Sequence, residues 1–423
     1  MLNFYLFDDQ KAQDWCPFTL TRPAGELTLG CMSMRERGEL FWGGQCLGYI
    51  TSQSLHHFDE PDTPSVVEAE DITSDEPLIL FLSRAVPDLS DHDSAIISRL
   101  HLDTSPKTLL MDGETVGWFL PRGFSGPENL DLLNPSHSPK AFPVLQLSGS
   151  VLHDLWDLVL ENGKQIGRDL NAMSFSQPEA SPLLPDGVTC LGDHLISIRE
   201  DVNMDPRVHL DSTLGPIFIS PGVRIHAFTH IAGPAFIGPG TRLLGGYMKN
   251  FTAGSGCKLR GEISNSVIMD YTNKAHDGYL GNSYLGSWVN LGALTTNSDL
   301  KNNYGEIKVS TPKGLVNTGN QKLGIFVGDH VKTGIGSLLP AGCVIGCGTN
   351  IFGGGMSPSE IPAFSWGTCD KLGEYELPAF LEMTNKVMSR RGLSLTSKAE
   401  QLLITAWDDT HLQRITKVNP SLQ

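Results

Sequence analysis

The chain has 423 residues, 40% hydrophobic and 18% charged, a balance typical of a globular protein with more than one domain. Its formal net charge of −16 argues against nucleic-acid binding but leaves small anionic substrates open to local lysines and arginines. No stretch reaches the roughly 18 consecutive apolar residues of a membrane span, and the eight cysteines form no CxxC pair. We therefore expect a cytoplasmic protein that does not enter the membrane.

Residues 1–180 alternate apolar strand candidates with helical segments, a pattern that predicts an α/β domain. The strand candidates are NFYLF at 3–7, PLILFLS at 77–83 and AFPVLQL at 141–147. A single helix is expected over 151–170. The segment 174–187 is rich in proline and serine, which is typical of a linker, so we place the domain boundary near residue 180.

Beyond the linker, aliphatic residues recur at every sixth position, a period that fits neither a helix nor a simple strand. This repeat predicts a parallel β-helix over residues 181–372, in which each side of a triangular coil takes six residues. The residues expected to fill its interior are Ile198, Met204, Leu210, Ile219, Ile225, Ile231, Ile237, Leu243, Val327, Thr333, Leu339, Ile345 and Ile351.

The repeat weakens between residues 246 and 326, where it continues at Tyr279, Leu285 and Leu291 and is interrupted by polar segments. Loops inserted into a rigid solenoid often carry function. Pro-Gly pairs at 221–222 and 239–240 predict corners of the coil. The C-terminal extension, residues 373–423, predicts two amphipathic helices, the second with Ser394 or Thr396 as N-cap.

Residues 273–308, NKAHDGYLGNSYLGSWVNLGALTTNSDLKNNYGEIK, resemble the acetyltransferase centre of the bifunctional GlmU family. The FDD start at 7–9 and TRPAGEL at 21–27 are similar to the divergent sugar nucleotidyltransferases of that kind. With segments 316–330 and 364–367, the resemblance spans most of the chain. It implies an α/β nucleotidyltransferase-like N-terminal domain, a left-handed β-helix with acyltransferase activity, and a homotrimer with sites between neighbouring solenoids.

Acetyl transfer from acetyl-CoA to an amine needs a base for the ammonium proton, donors for the developing oxyanion and a slot for the pantetheine arm. The resemblance assigns the base to His276, since histidine exchanges protons near neutral pH. It assigns the acidic residue that orients this base to Glu262. Without the motif, a solvated loop histidine would be the commoner interpretation of His276.

The resemblance also implies contacts to an amino-sugar-1-phosphate and to coenzyme A. The sugar-phosphate contacts would be Arg260, Lys274, Tyr279, Asn290, Lys301, Asn302 and Tyr304, with Lys258 as a further phosphate contact. Gly292 and Ala293 would lie beside the thioester carbonyl of coenzyme A. Taken singly, Tyr279 and Asn290 fit corner packing equally well, and the lysines fit a solvated surface. After Phe326-Val327-Gly328 the family usually has a small hydroxyl residue, whereas this chain has Asp329.

Nucleotidyl transfer from a nucleoside triphosphate needs cationic side chains and a carboxylate-bound metal. The family's LxxGxGTRM loop is replaced here by FDDQKAQDWCPFTLTRPAGELT, in which Arg22 takes the place of the loop arginine. The nucleotide-binding candidates are Asp8, Asp9, Thr21, Arg22 and Arg35, with Mg²⁺ if the domain is active. Asp8 and Asp9 fit a strand-end turn or helix cap equally well. The residues that would hold the metal stay unassigned.

The leading hypothesis is a GlmU-like transferase that acetylates an amino-sugar-1-phosphate in the β-helix and transfers a nucleotidyl group in the N-terminal domain. One alternative keeps only nucleotidyl transfer, with the solenoid as a trimerisation scaffold. A second alternative is a non-catalytic protein that binds a sugar nucleotide.

Overall fold

The structure is a computed structural model that describes residues 2–72, 76–91, 100–123, 142–174 and 184–418. Most of the predicted linker, residues 175–183, lies outside the described residues. Within the described ranges, no helix has both the length and the apolar character needed to cross a membrane.

The N-terminal domain is built on a six-stranded mixed sheet in the order β4-β1-β5-β8-β7-β9. Strands β1, β4 and β5 run parallel, so their carboxyl ends meet at one edge of the sheet. The three predicted apolar segments all contribute strands. The strands of this domain are β1 (Asn3–Phe7), β2 (Thr28–Leu29), β3 (Met32–Ser33), β4 (Cys46–Ile50), β5 (Leu78–Leu82), β6 (Ala85–Pro87), β7 (Lys107–Met111), β8 (Glu114–Leu120), β9 (Val144–Leu147) and β10 (Gly149–Val151).

The helices of this domain are short, namely α1 (Gln10–Gln13), α2 (Met34–Trp42), α3 (Asp157–Leu160) and α4 (Asn162–Ser174). The single helix predicted over 151–170 is wrong in two respects: it begins later, and it breaks at Glu161. Residue Val151 still belongs to β10, and the Asp157 carboxylate accepts hydrogen bonds from the backbone N–H groups of His153 and Asp154. Tertiary pairing therefore overrides the helical pattern of the first six residues.

The second domain is a β-solenoid whose strands pair in parallel from one coil to the next, three strands to a coil. Its first strands are β11 (Thr189–Leu191), β12 (Ile196–Ile198), β13 (Asn203–Met204), β14 (His209–Asp211), β15 (Ile217–Ile219), β16 (Arg224–Ile225), β17 (Thr229–Ile237), β18 (Arg242–Ala253) and β19 (Lys258–Ile268). The middle strands are β20 (Asn273–Lys274), β21 (Tyr279–Gly281), β22 (Tyr284–Leu285), β23 (Asn290–Leu291), β24 (Thr296–Asn297), β25 (Lys308–Thr311) and β26 (Gly314–Asn317). The last are β27 (Phe326–Val327), β28 (Lys332–Thr333), β29 (Ser337–Leu339), β30 (Val344–Ile345), β31 (Asn350–Phe352), β32 (Gly355–Met356), β33 (Glu360–Ile361), β34 (Ser365–Thr368) and β35 (Lys371–Glu374).

All thirteen residues predicted to fill the solenoid interior are buried, so the six-residue repeat is confirmed. Gly222 and Gly240 have φ of 68° and 64°, as expected for the predicted corners. Tyr279 differs from the prediction, because it faces outward while Leu280 fills the interior. The spacing from Leu280 to Leu285 is five residues, so counting back in sixes from Leu285 misses the interior position by one.

We name the three sides of the solenoid after what lies against them. Each side is defined by the residues that point outward from it. The first side, the open face, carries His209, His230, Tyr247, Glu262 and Tyr279 in one column. The second, the domain face, carries Phe218, Phe236, Thr252, Val267, Tyr284, Phe326 and Val344. The third, the helix face, carries Arg224, Arg242, Lys258, Asn273, Asn290, Lys332 and Asn350.

The N-terminal domain packs side-on against the domain face. Trp15, Phe18 and Leu27 share one hydrophobic cluster with Val267, Tyr284 and their neighbours on this face. The Tyr284 hydroxyl donates to the backbone oxygen of Thr28 and accepts from its backbone nitrogen. Burial of this large apolar surface makes the two domains one packed unit.

A buried ion pair lies at the edge of this interface. The Arg22 guanidinium contacts the Asp329 carboxylate at 2.9 Å, and Thr21 Oγ1 donates to the same carboxylate oxygen at 2.6 Å. The other oxygen of Asp329 accepts from the backbone N–H of Ser287. Although burial raises the pKa of Asp329, Arg22 and Thr21 outweigh it and hold that pKa below its usual range.

The C-terminal segment forms α5 (Leu377–Ser389), α6 (Ser397–Asp409) and α7 (His411–Val418). The two predicted helices are confirmed, and Thr396 is the N-cap of α6, accepting from Ala399 N at 3.1 Å. The third helix was not predicted. Phe380 and Leu403 pack against the last coils at Phe364, while Thr396 also donates to Asp59 of the N-terminal domain. The helices thus join the end of the solenoid to the N-terminal domain.

We predict that Asp329→Asn lowers the free energy of unfolding by about 3 kcal/mol, because it leaves the buried Arg22 without its main counter-ion. The double variant Arg22→Met/Asp329→Asn should lose less, since it leaves no buried guanidinium unpaired, and Glu60, which also loses Arg22, is partly exposed to water. Urea unfolding followed by tryptophan fluorescence measures both. Arg224→Ala, which removes an exposed ion pair with Asp205, serves as the control and should cost less than about 1 kcal/mol. A double variant that loses as much as Asp329→Asn, or more, would contradict this.

Candidate functional site

His276 lies in the turn between β20 and β21, at the corner where the helix face meets the open face. Its side chain is exposed, and among the described residues its imidazole makes no hydrogen bond or ion pair. Arg260, on the preceding coil, is fixed beside this corner by an ion pair with Asp277 at 3.0 Å. The corner therefore presents a free imidazole on a well-ordered backbone.

Lys274 occupies an interior position of the solenoid. It is in register with Leu259 on the preceding coil, and the pairing of Asn273 with Asn290 places it beside Leu291 on the following coil. It is 2% exposed, and its Nζ donates to the backbone oxygens of Arg260 at 2.8 Å and His276 at 3.0 Å. Burial lowers the pKa of Lys274 to about 8. The structure thus places Lys274 beneath the corner, where it holds the His276 backbone, rather than on the surface where a phosphate would arrive.

Glu262 and Tyr279 stand side by side on the open face, in register across adjacent coils. The Glu262 side chain is exposed, and within the described part of the chain no hydrogen bond or ion pair joins it to His276. The Tyr279 hydroxyl donates to Asp299 at 2.7 Å, and Asn282 donates to the same carboxylate oxygen. Burial and this hydrogen bond raise the pKa of Tyr279, so its hydroxyl stays protonated as a donor.

Asn290 and the Gly292-Ala293 turn lie one coil beyond His276. Asn290 points out of the helix face and accepts a hydrogen bond at 3.4 Å from Asn273, which in turn accepts one from Arg391 of the C-terminal segment. The two corners stack, since Leu294 N donates to Asp277 O at 3.0 Å. A substrate lying along this corner would meet His276 first and the Gly292-Ala293 backbone next.

The predicted substrate-closing loop begins after β24, at the opposite edge of the open face from His276. Asn302 and Tyr304 are exposed, and Lys301 donates to the backbone oxygen of Glu306. No hydrogen bond links these three residues to His276 within the described ranges. The hairpin of β25 and β26 farther along the same insertion packs on the N-terminal domain, where Lys313 contacts Asp14 at 2.6 Å.

A second candidate site is a cavity of about 830 Å³ at the carboxyl ends of β1, β4 and β5. This is the edge at which open α/β sheets bind their ligands. Asp8 and Asp9 both line it, as do two cations that sequence reasoning missed, Lys11 and Arg84. Arg84 directly follows the predicted strand at 77–83. This place at the end of a strand is the sequence signal that could have identified it.

The two aspartates have different surroundings. Asp9 is the N-cap of α1 and pairs with Arg84 at 2.8 Å, so the cap interpretation holds for Asp9. Asp8 is buried, and its Oδ2 accepts from Thr51 at 2.6 Å and from Ala24 N at 3.1 Å. Its Oδ1 is shielded from solvent, and no donor in the described ranges reaches it with hydrogen-bond geometry. Burial raises the pKa of Asp8.

The other three nucleotide-binding candidates do not line this cavity. Thr21 and Arg22 hold Asp329 of the solenoid, as described above. Arg35 pairs with Glu26 at 2.6 Å and with Glu39 at 2.9 Å. The structure therefore brings together Asp8 and Asp9 of the five candidates.

Comparison with known proteins agrees with this two-domain organisation. Residues 4–176 match the family described as sugar nucleotidyl transferase. A bifunctional sugar-1-phosphate nucleotidylyltransferase/acetyltransferase of Sulfurisphaera tokodaii is 34% identical over 100 residues, which cover 24% of this chain and 25% of that protein. The bifunctional protein GlmU of Synechococcus elongatus is 27% identical over 221 residues, covering 51% of this chain and 40% of that protein. The matched stretches thus cover between a quarter and two fifths of these relatives' length.

The interior position of Lys274 predicts a pH dependence of stability. The folded protein releases the Lys274 proton near pH 8 and the unfolded chain near 10.5, so between these values the unfolded state binds more protons. Stability should therefore rise with pH across this window, by at most on the order of 3 kcal/mol. Lys274→Met should reduce that rise without abolishing it, because burial also lowers the pKa of Lys332, to about 7, and Lys332 contributes with the same sign. Unfolding free energies of both proteins on either side of the window measure it, and equal slopes would refute the assignment.

Proposed function

Because the chain is a relative of the GlmU proteins with a sugar nucleotidyl transferase domain at its N-terminus, we propose that it is a cytoplasmic transferase acting on amino-sugar-1-phosphates. The solenoid transfers the acetyl group of acetyl-CoA to the sugar amine. The N-terminal domain binds a nucleoside triphosphate and transfers its nucleotidyl group. All eight cysteines are free thiols, as in a reducing compartment.

The observation that carries acetyl transfer is the free imidazole of His276 on a corner braced from within by Lys274. His276 takes the proton of the sugar ammonium, and the resulting amine attacks the thioester carbonyl. The carbon–nitrogen bond forms as the amine adds to the carbonyl, and the carbon–sulfur bond breaks when the resulting oxyanion collapses. The thiolate of coenzyme A leaves and takes up the second proton given up by the nitrogen, so the products are the amide and the free thiol. Glu262, across the open face, supports the imidazolium electrostatically.

The sugar phosphate meets the outer surface of this corner. Arg260 is half-exposed there, and Tyr279 and Asn290 offer a hydroxyl and an amide on either side. Lys258 is a further cation on the helix face, one coil earlier. The Gly292-Ala293 turn, which has no bulky side chain, leaves room for the thioester. The backbone N–H of Gly292 already donates to Thr333, so the donor left for the developing oxyanion is the backbone N–H of Ala293.

We propose a homotrimer because a single chain leaves this site incomplete. His276 and the loop carrying Lys301, Asn302 and Tyr304 lie at opposite edges of the open face, so a neighbour's loop can reach a corner that its own loop does not contact. Exposed apolar residues also lie at this corner and along the open face on the later coils, as expected for a surface that another copy covers. These are Leu294, Ile335, Leu338 and Met356.

For nucleotidyl transfer, the supporting observation is the cavity at the carboxyl ends of the parallel strands. The shielded oxygen of Asp8, which lacks a donor, fits Mg²⁺, and Asp8 would hold the ion with the carboxylates of the cavity wall. The ion would neutralise charge on the triphosphate. Among the residues that the structure describes, Lys11 has no hydrogen-bond or ion-pair partner and can contact a phosphate, whereas Arg84 is paired with Asp9 and Glu114.

We predict that His276→Ala lowers the rate of acetyl transfer by about 10²–10⁴-fold, the usual contribution of a general base. Release of free thiol from acetyl-CoA in the presence of glucosamine-1-phosphate measures this rate. His194→Ala, an exposed histidine on the first coil, is the matched control and should retain full activity. A wild-type protein without thiol release would overturn the proposal for the solenoid.

We also predict that the affinity for Mg²⁺ with UTP or dTTP falls at acid pH, because burial raises the pKa of Asp8 and protonation removes its charge. Asp8→Asn should bind weakly at every pH and release no pyrophosphate. Isothermal titration at about pH 5.5 and 8 and a pyrophosphate-release assay measure the two steps. Asp88→Asn, outside the cavity, is the control. Tight binding without pyrophosphate release would favour the sugar-nucleotide-binding alternative.

A further inference from the structure

Three potential metal ligands converge on the open face near the start of the solenoid. His209 and Asp211 lie two residues apart on β14, so both side chains point out of the same face. His230 on β17 is the register partner of His209 on the next coil. One ligand atom from each of the three residues lies within 4.8 Å of the others.

We propose that His209, Asp211 and His230 form a binding site for a divalent transition metal ion of the Zn²⁺ class. Two imidazole nitrogens and one carboxylate oxygen are the donor set that Zn²⁺ and its neighbours favour, whereas Mg²⁺ and Ca²⁺ prefer oxygen alone. Zn²⁺ bonds of about 2.0–2.2 Å place its ligands roughly 3.5 Å apart, so small rotations of these part-exposed side chains complete the site.

The surroundings of His230 independently favour a ligand. Its Nε2 is shielded from solvent and has no hydrogen-bond partner in the described ranges. The ring is held between His209, at a centroid distance of 4.5 Å, and Tyr247, at 4.9 Å.

Asp211 supplies the negative charge. One of its oxygens accepts from Thr213 N at 2.9 Å, a contact of the kind that orients metal-bound carboxylates. The donor set therefore combines one carboxylate with two imidazole rings.

The position of the site suggests its role. The ion would tie β14 to β17, on adjacent coils near the open end of the solenoid, where all three residues of β11 are exposed. In the same column, Tyr247 and Glu262 separate His230 from Tyr279. The metal is thus remote from the acetyl-transfer corner and acts as a structural clamp on the first coils.

The test uses the full chain, freed of any affinity tag and of metal by chelation. Titration with Zn²⁺ should show one equivalent bound by the wild type, and Co²⁺ should give the visible absorption of a nitrogen- and oxygen-ligated ion. His209→Ala and His230→Ala should each weaken binding by about tenfold or more. His194→Ala on the first coil is the matched control and should bind as the wild type does.

A stability readout separates binding from misfolding. Zn²⁺ should raise the unfolding temperature of the wild type but not of the two histidine variants, whose circular dichroism without metal should equal that of the wild type. Asp211→Asn, which keeps the shape of the side chain, should also lose affinity if a histidine variant misfolds. A metal-free wild type that takes up no Zn²⁺, or variants that bind it as tightly, would overturn the proposal.

Discussion

The arrangement of the two domains depends on the buried contact between Arg22 and Asp329. A buried guanidinium is tolerated only when a carboxylate meets it, so this pair fixes where the N-terminal domain can sit on the solenoid. The apolar contacts of Trp15 and Phe18 supply the favourable burial, but such contacts carry little directional preference. The ion pair and the Thr21 hydroxyl supply the direction. Tight association and exact placement therefore come from different interactions.

The same contact gives a different role to Arg22, from the nucleotide-binding pattern, and to Asp329, from the segment that follows Phe326-Val327-Gly328. Arg22 stands where the family's loop has its arginine, yet its guanidinium is directed at the solenoid and at Glu60. Asp329 stands where the family has a small hydroxyl residue. These two departures, 307 positions apart, are one structural feature, because each residue is the partner of the other. A nucleotide in the cavity beside Asp8 would rely on Lys11 and a metal ion rather than on the loop arginine.

The sequence predicted the solenoid well because each coil repeats a local rule, an aliphatic residue at every interior position. It did not predict the Arg22–Asp329 pair, because nothing in local spacing links residues so distant. Lys274 was also placed on the surface, since an interior lysine contradicts the ordinary preference of that side chain. The motif predicted a functional site at His276 and its neighbours. Only the structure shows that, within the described residues, no hydrogen bond or ion pair joins His276 to Glu262.

Each side of the solenoid has its own task. The domain face is covered by the N-terminal domain, and the helix face receives Arg391 from the C-terminal segment. The open face keeps the column from His209 to Tyr279 accessible, with the exposed Leu338 and Met356 on later coils. A neighbouring copy can therefore approach along this face without displacing the N-terminal domain or the C-terminal segment. His276 lies at one edge of that face and the inserted loop at the other, so this is the face along which the proposed homotrimer would bring one copy's loop to another copy's corner.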